Sequence, residues 1–199
     1  MTRYRATPVG GCVSAALEQR PDGSAVLRST EALQPYPARL TDRLEHWARV
    51  APDRTLVAQR ERLADGARGA WRRISYDQML ARVQSVGQAL VARGLSPERP
   101  VAILSDNDLE HLTLALGAMW VGVPYTPISP AYSLVSQDFG KLRHIFQTTT
   151  PGLVFASDAR YGRAIEAVAG PDVEVILTEG ELDGRRVTPF AALVDTAPG

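Results

Sequence analysis

Apolar residues recur at helical spacing in several stretches of this chain, and short apolar runs typical of buried strands separate these stretches. The first amphipathic helix ends before Pro52, because proline cannot continue a helix. The second is the clearest: Ser75 and Gln78 have the spacing of a capping box, and Gly94 is suited to a left-handed stop. Three later helices are predicted, one capped by Asn107, one capped by Ser136, and one over 158–168.

The apolar runs between these helices predict short strands. Residues 56–60 and 71–74 flank a polar segment that contains glycine, so they predict a small hairpin near residues 56–74. The later runs lie at 101–104, 123–128, 152–156 and 173–177. Strands that alternate with helices form β-α-β units, which makes the fold class α/β with a mainly parallel sheet and flanking helices. Ligands of such sheets usually bind at the carboxyl ends of the strands.

The regular pattern occupies only part of the chain. We expect residues 1–37 to be an irregular N-terminal segment, because prolines and glycines interrupt every longer period there. Residues 38–195 carry the α/β pattern, and residues 196–199 resemble a truncated linker.

Composition excludes several classes of protein. The 22 basic residues are balanced by 22 acidic ones, which is untypical of a general nucleic-acid binder or an acidic disordered chain. A single cysteine, Cys12, cannot form a disulfide framework or a multi-cysteine metal site. No secretion signal is recognisable, and the most apolar window, 112–125, is shorter than the ~20 residues of a membrane span. We therefore expect a cytoplasmic protein.

The residues that could carry chemistry form no recognisable site. No phosphate loop is present, and the three histidines, His46, His111 and His144, all fall on predicted helices. Lys141 is the only lysine; with His144 it forms either a cationic patch or an exposed face without function, and the second is favoured. Residues 106–108 offer oxygen ligands to a metal, but a turn and helix cap explain them better. We predict no catalytic, cofactor-binding or metal residues.

Three segments resemble the N-terminal region of the adenylate-forming acyl-CoA synthetase superfamily, in the same order. Ile74-Ser-Tyr-Asp-Gln-Met-Leu is similar to its first core motif, L-T/S-Y-x-E-L, with Gln78 at the acidic position. Residues 94–107 resemble its G-L-x-x-G-D-x-V-A-I-x-x-x-N segment. Residues 119–129 resemble its second core motif, L-K-A-G-x-A-Y-V-P-I-D, with Trp120 in place of lysine and Ser129 in place of aspartate.

A fourth segment is similar to a narrower group. Residues 129–146, Ser-Pro-Ala-Tyr-Ser-Leu-Val-Ser-Gln-Asp-Phe-Gly-Lys-Leu-Arg-His-Ile-Phe, closely resemble feruloyl-CoA synthases. The resemblance implies part of the large N-terminal domain of the acyl-CoA synthetase fold. It also implies an acid–thiol ligase that uses ATP, Mg and coenzyme A to activate a hydroxycinnamate. Within this segment, the loop 130–134 either faces substrate or the missing subdomain, or is a rigid connector packed by Tyr132 and Leu134.

The catalytic motifs of that family have no counterpart in these residues. The resemblance places its phosphate loop, its ribose-binding acidic residue and its catalytic lysine further along the family chain. We therefore expect a fragment that is inactive alone, needs no cofactor, and pairs with the remainder of a ligase or with itself. One alternative is a non-catalytic binding or assembly module derived from an acyl-CoA synthetase. Another is a small flavodoxin-like nucleotide binder, against which the missing phosphate loop argues.

Overall fold

A computed structural model describes residues 14–63 and 66–198 of the chain. The chain divides into two compact units, residues 1–37 and 38–199. The first contains an antiparallel hairpin of β1 (Ala15–Gln19) and β2 (Ala25–Ser29) within the segment for which we expect irregular structure. Cys12 lies outside the described residues.

The second unit opens with a helix, a hairpin and a long helix. These are α1 (Thr41–Val50), β3 (Thr55–Arg62), β4 (Arg68–Ser75) and α2 (Tyr76–Ala92). The predicted hairpin is confirmed, and β3 and β4 are antiparallel. The predicted capping box is also confirmed: the Gln78 amide donates to Ser75 Oγ at 3.3 Å, and the Ser75 amide donates to Gln78 Oε1 at 3.0 Å.

Five parallel strands and their crossover helices follow. The strands are β5 (Val101–Ile103), β6 (Tyr125–Pro127), β7 (Leu153–Ala156), β8 (Glu174–Leu177) and β9 (Val187–Pro189). The helices are α3 (Leu109–Val121), α4 (Ala131–Leu134), α5 (Gly140–Thr149), α6 (Gly162–Val168) and α7 (Ala191–Val194), with a 3-10 turn over Ala159–Tyr161. The sequence pattern does not predict α4, β9 or α7, because three or four residues are too few to show a period.

The order of the strands is β6-β5-β7-β8-β9, and all neighbours are parallel. The predicted α/β fold with a parallel sheet and flanking helices is thus confirmed. The first strand of this sheet, β5, lies between β6 and β7: the chain runs from β5 to β6 at one edge and then crosses back over β5 to β7 and on toward the other edge. A topological switch point of this kind opens a crevice at the carboxyl ends of the two strands.

Both faces of the sheet are buried, as a parallel sheet requires. Along β5, Ile103 packs with the core beneath α2, α3 and α7, while Leu104 packs with the core beneath α5 and α6. In-register pairing places Ile103, Phe155 and Ile176 side by side in one row. Side chains alternate along a strand, so residues two positions beyond this row are expected on the same face of the sheet.

Two predicted helix starts are wrong by one or a few residues. Asp108, not Asn107, caps α3, and its carboxylate accepts from the His111 amide at 2.6 Å. Helix α5 begins at Gly140 rather than directly after Ser136, because Phe139 has a left-handed backbone. Ser136 instead accepts from the Phe139 amide in the preceding turn. Among the described residues, every helix is too short or too polar to cross a membrane.

Candidate functional site

The candidate site is the crevice at the switch point, where β5, β7 and β8 end. It has a volume of about 590 Å³ and lies between the sheet edge and the hairpin β3–β4. Two contacts hold the hairpin on this edge. The Leu109 amide donates to Gln59 Oε1 at 3.3 Å, and Arg72 lies 2.7 Å from the carboxylate of Glu110. The hairpin therefore forms a wall that is tied to the first turn of α3.

A row of hydroxyl residues follows the strands at this edge of the sheet; Ser157 and Thr178 line the crevice, and Ser105 lines a neighbouring depression. Ser105, Ser157 and Thr178 each stand two positions beyond the in-register row of Ile103, Phe155 and Ile176. The ladder continues past the strand ends, since the Leu104 amide donates to the Phe155 carbonyl at 2.9 Å. Likewise, the Thr178 amide donates to the Ala156 carbonyl at 3.3 Å. Side chains alternate along a strand, so these three residues share the α3 face of the sheet. We call them the hydroxyl row.

A row of carboxylates follows one position further out. It consists of Asp106, Asp158 and Glu179, all of which line the crevice. Arg160 pairs with Asp158, with Nη2 2.8 Å from Oδ2 and Nε 2.9 Å from Oδ1. The side-chain hydrogen bond from Arg160 lowers the pKa of Asp158 below its usual value of 3.8. Asp158 is therefore ionised at neutral pH and its charge is balanced by Arg160, while Arg60, Arg62 and Arg72 also line the crevice.

The loop between β5 and α3 adds a half-buried helix cap, Asp108. Burial raises the pKa of Asp108. The hydrogen bond that its carboxylate accepts from the His111 amide acts in the opposite direction but is the smaller effect. The ring of His111 lies back on this loop, with Nδ1 3.2 Å from the Asp106 carbonyl oxygen. A carbonyl can only accept, so this contact requires the proton on Nδ1 and leaves Nε2 as the acceptor of the neutral ring.

This arrangement does not fit a phosphate group. Phosphate sites present backbone amides at a helix N-terminus, without nearby anions. Here the N-terminus of α3 is already occupied by the Asp108 carboxylate, and the carboxylate row lies beside it. The strand order alone would suit a flavodoxin-like nucleotide binder, but the Asp108 carboxylate at the N-terminus of α3 opposes the phosphate of such a ligand. Within the ranges that the structure describes, no three His, Cys, Asp or Glu side chains are grouped to hold a metal.

The loop that resembles feruloyl-CoA synthases lies beside the crevice. Residues 127–130 border a depression of about 200 Å³ over Ser105 and Asp106. The helix α4 follows, and Lys141 Nζ lies 5.2 Å from the ring centre of Tyr132, within the range of a cation–π contact. Lys141 and His144 are both exposed, as the favoured reading expects, and Lys141 also contacts Tyr132.

The sequence pattern does not reveal the hydroxyl row or the carboxylate row, because their members are far apart in the chain. The histidines do not come together: they lie on α1, α3 and α5, and only His111 borders the depression beside the crevice. The tryptophans do not form a platform either. Trp71 is 47% exposed on the hairpin with Arg60 above its ring, and Arg39 lies over Trp120. The only local signal for the site was residues 105–108, a polar segment directly after a buried strand.

Comparison with known proteins places this geometry in a family. Residues 44–194 match the family model of the AMP-binding enzymes. AMB antimetabolite synthetase AmbE of Pseudomonas aeruginosa is 33% identical over 99 residues, which cover 49% of this chain and 4% of that protein. Fatty acyl-CoA synthetase A of Dictyostelium discoideum is 39% identical over 67 residues, which cover 34% of this chain and 10% of that protein.

Solved structures show the same fold. A protein of Rhodopseudomonas palustris described as a long-chain-fatty-acid CoA ligase superposes with a TM-score of 0.60 at 23% identity, over 80% of this chain and 37% of its own. The fatty acid AMP ligase of Legionella pneumophila gives a TM-score of 0.55 at 15% identity, over 81% of this chain and 26% of its own. The chain thus spans well under half the length of these relatives. Because the family model covers most of its residues, the chain belongs to the AMP-binding enzyme family.

Proposed function

We propose that this chain forms part of the first α/β subdomain of an acid–thiol ligase that acts on a hydroxycinnamate. In its complete form such a ligase joins the carboxylate to the AMP moiety of ATP with release of pyrophosphate, and then transfers the acyl group to the thiol of coenzyme A with release of AMP. The observation that carries the proposal is the segment 129–146, which resembles feruloyl-CoA synthases and lies inside the matched family region.

The residues described here supply the scaffold of that reaction and none of its charge stabilisation. Transfer to a phosphoryl group needs cations or backbone amides around the phosphates. In the switch-point crevice Arg72 is paired with Glu110 and Arg160 with Asp158, and the only lysine lies over Tyr132. ATP and its Mg ion therefore belong to other parts of the ligase in this proposal, and the chain alone is inactive. A cytoplasmic location is included, because a free thiol substrate requires a reducing compartment.

The acid substrate is the finer part of the proposal. The names of the relatives refer to an antimetabolite synthetase and to a fatty acyl-CoA synthetase, and both match short parts of the chain. These relatives do not identify the acid as a hydroxycinnamate, a fatty acid or an amino acid. The proposal of a hydroxycinnamate depends on the resemblance of residues 129–146. An assay that offers one acid of each class separates the three.

The first experiment determines the size of the protein that carries this chain in its source cells, by immunoblot with an antibody against residues 38–195. A band well above 21.6 kDa supports the proposal. The protein purified with the same antibody is then incubated with ATP, coenzyme A and ferulate, palmitate or phenylalanine, and AMP and thioester are measured. Thioester formation with ferulate above the other two acids is expected. A preference for palmitate or phenylalanine contradicts the hydroxycinnamate assignment.

A band at 21.6 kDa without ligase activity contradicts the proposal as a whole. The chain would then be a non-catalytic binding or assembly module that shares only its ancestry with the ligases. Proteins that co-purify with the antibody are identified by mass spectrometry. A second chain with the remaining ligase motifs would indicate a ligase assembled from separate chains, and its absence would indicate the non-catalytic module.

A further inference from the structure

The two strands of the hairpin β3–β4 carry an excess of positive charge. They contain five arginines and one acidic residue, Glu61. Residues that pair across the two strands share a face of the hairpin, and positions 58, 60 and 62 alternate along β3, so they lie on the same face. The pairs on this face are Ala58 with Arg73, Arg60 with Trp71, and Arg62 with Arg68. We call it the arginine face.

The opposite face of the hairpin is already packed against the second unit. Gln59 and Arg72 bond to the first turn of α3. Val57 and Ile74 pack in the core that α1, α2 and α3 share. Glu61 belongs to this side, because it alternates with the residues of the arginine face. The arginine face is the exposed side of the hairpin, since all six of its residues are exposed.

The positive charge of the arginine face is not neutralised within the described part of the chain. The guanidinium carbon of Arg60 lies 4.9 Å from the ring centre of Trp71. Among the residues that the structure describes, Arg62, Arg68 and Arg73 form no ion pair and no side-chain hydrogen bond. Arg62 and Arg68 stand directly opposite each other, and like charges at such positions destabilise a strand pair. A local cost of this kind, without a gain inside the fold, is typical of a functional surface.

The composition and size of the face select the chemistry of a partner. Guanidinium groups bind carboxylates in a bidentate manner, and tryptophan and arginine are the residues enriched in hot spots between proteins. Trp71 is 47% exposed and available for such a contact. Positions 58–62 span about 14 Å, so the face matches a short segment of extended chain. Arg60 and Arg62 also line the crevice, where Asp106 and Glu179 repel a longer polyanion such as a nucleic acid strand.

We propose that the arginine face docks an acidic segment of a partner protein. Carboxylates of the segment pair with Arg62, Arg68 and Arg73, and an apolar side chain of the segment covers the exposed part of Trp71. The proposal does not depend on the function proposed above, because it concerns a protein partner of the folded chain and not the acid that a ligase activates.

A binding measurement on the full 199-residue chain tests the proposal. The probe is a short fluorescein-labelled glutamate peptide with one central leucine, and fluorescence anisotropy reports its binding. The double variant Arg62→Gln with Arg68→Gln should bind the probe at least about tenfold more weakly than the unmodified chain. The control, Arg43→Gln with Arg49→Gln, removes the same charge from exposed positions of α1 and should change Kd less than about twofold. Equal losses in the two double variants, or no binding by the unmodified chain, would overturn the proposal.

The stability of the same variant separates docking from a structural role. Because Arg62 and Arg68 repel each other, replacing both with glutamine should leave the unfolding equilibrium constant in urea unchanged or lower. A higher constant would show that the two arginines stabilise the hairpin, which contradicts a face kept for a partner.

Two further measurements use the unmodified chain. An oligothymidylate with the same charge as the peptide should bind more weakly in the same buffer; tighter binding would assign the face to nucleic acid and overturn the proposal. In a nuclear magnetic resonance titration with the peptide, shifts should concentrate at residues 58–62 and 68–73 and at the indole N–H of Trp71. Shifts centred on any other surface would also contradict docking at the arginine face.

Discussion

The ammonium group of Lys141 lies 5.2 Å from the centre of the Tyr132 ring and joins α5 to α4. Tyr132 is half-buried against the core that also contains Phe139 and Leu142. Residues 130–134 are thus held from two sides, by apolar packing of Tyr132 and by the cation of Lys141. This relationship makes Lys141 a positioning residue of the loop.

Replacing this cation should loosen the loop without unfolding the chain. For Lys141→Gln we expect a loss of about 0.5–1 kcal/mol in the free energy of unfolding, the size of an exposed cation–π contact. Lys141→Arg should retain most of it, because the guanidinium also stacks on aromatic rings. Urea unfolding of the three proteins measures both effects. Equal losses for Gln and Arg would show that the contact contributes nothing through its charge.

The role of the loop in substrate binding is a separate prediction. In the ligase that contains this chain, Tyr132→Ala should raise the KM for the aromatic acid more than it lowers kcat, if the loop faces the substrate. Leu134→Ala, on the same loop and 40% exposed, is the control for a general disturbance. Unchanged KM values for both the acid and coenzyme A would leave Tyr132 as part of a rigid connector.

The close approach of α2 and α3 makes another position sensitive. A Cβ atom on Gly117 would lie 2.5 Å from Val86 Cγ1 and 2.9 Å from its Cβ, so the two helices must separate to admit it. Overpacking of this kind costs about 1–3 kcal/mol and outweighs the helix propensity gained by alanine. Thermal unfolding of Gly117→Ala should show this loss. Gly170→Ala, where no atom lies within 4 Å, should leave the stability nearly unchanged.

The ion pair between Arg72 and Glu110, which holds the hairpin β3–β4 against α3, joins an exposed side chain to a nearly buried one. The Arg72 side chain is 45% exposed, whereas that of Glu110 is 10% exposed. Arg72→Met leaves the buried carboxylate without its cation and should cost about 1–2 kcal/mol, less than a fully buried pair. Adding Glu110→Gln to Arg72→Met should recover part of this loss. A double variant that loses the sum of the two single losses would show that the residues do not interact.

The pair of Asp158 and Arg160 predicts a pH dependence. The folded pKa of Asp158 lies below its usual 3.8, so the ionised form stabilises the fold. That contribution is complete above the unfolded pKa and disappears as the pH falls through the folded value. Asp158→Asn should therefore lower stability at neutral pH and change it little in strong acid. An equal loss at both pH values would assign the effect of Asp158 to its hydrogen bonds alone.

Asp108 should show the opposite trend, because burial raises its folded pKa. Its protonated form is favoured in the folded state, and stability from this group declines as the pH rises through the folded value. Asp108→Asn keeps a side-chain oxygen that can cap α3. It should thus shift the pH of maximum stability upward, which a series of urea titrations across pH would detect.

Local patterns in the sequence were sufficient for the elements and for the fold class. The capping box at Ser75 involves residues three apart, and the hairpin near 56–74 depends on a short polar loop, so each can be read within a small window. Alternation of apolar strands with amphipathic helices leads to a parallel sheet because a crossover helix must cover each face. The family motifs are also contiguous, and the family they indicated was confirmed.

The tertiary structure decided the strand order and, with it, the site. Ser105, Ser157 and Thr178 carry no shared local signal, since each is only a polar residue after an apolar strand. They become one row because β5, β7 and β8 pair in a single register, and the carboxylates one position further out become a second row for the same reason. Pairing between distant strands depends on the burial of both sheet faces together, a global property that no window of neighbouring residues contains.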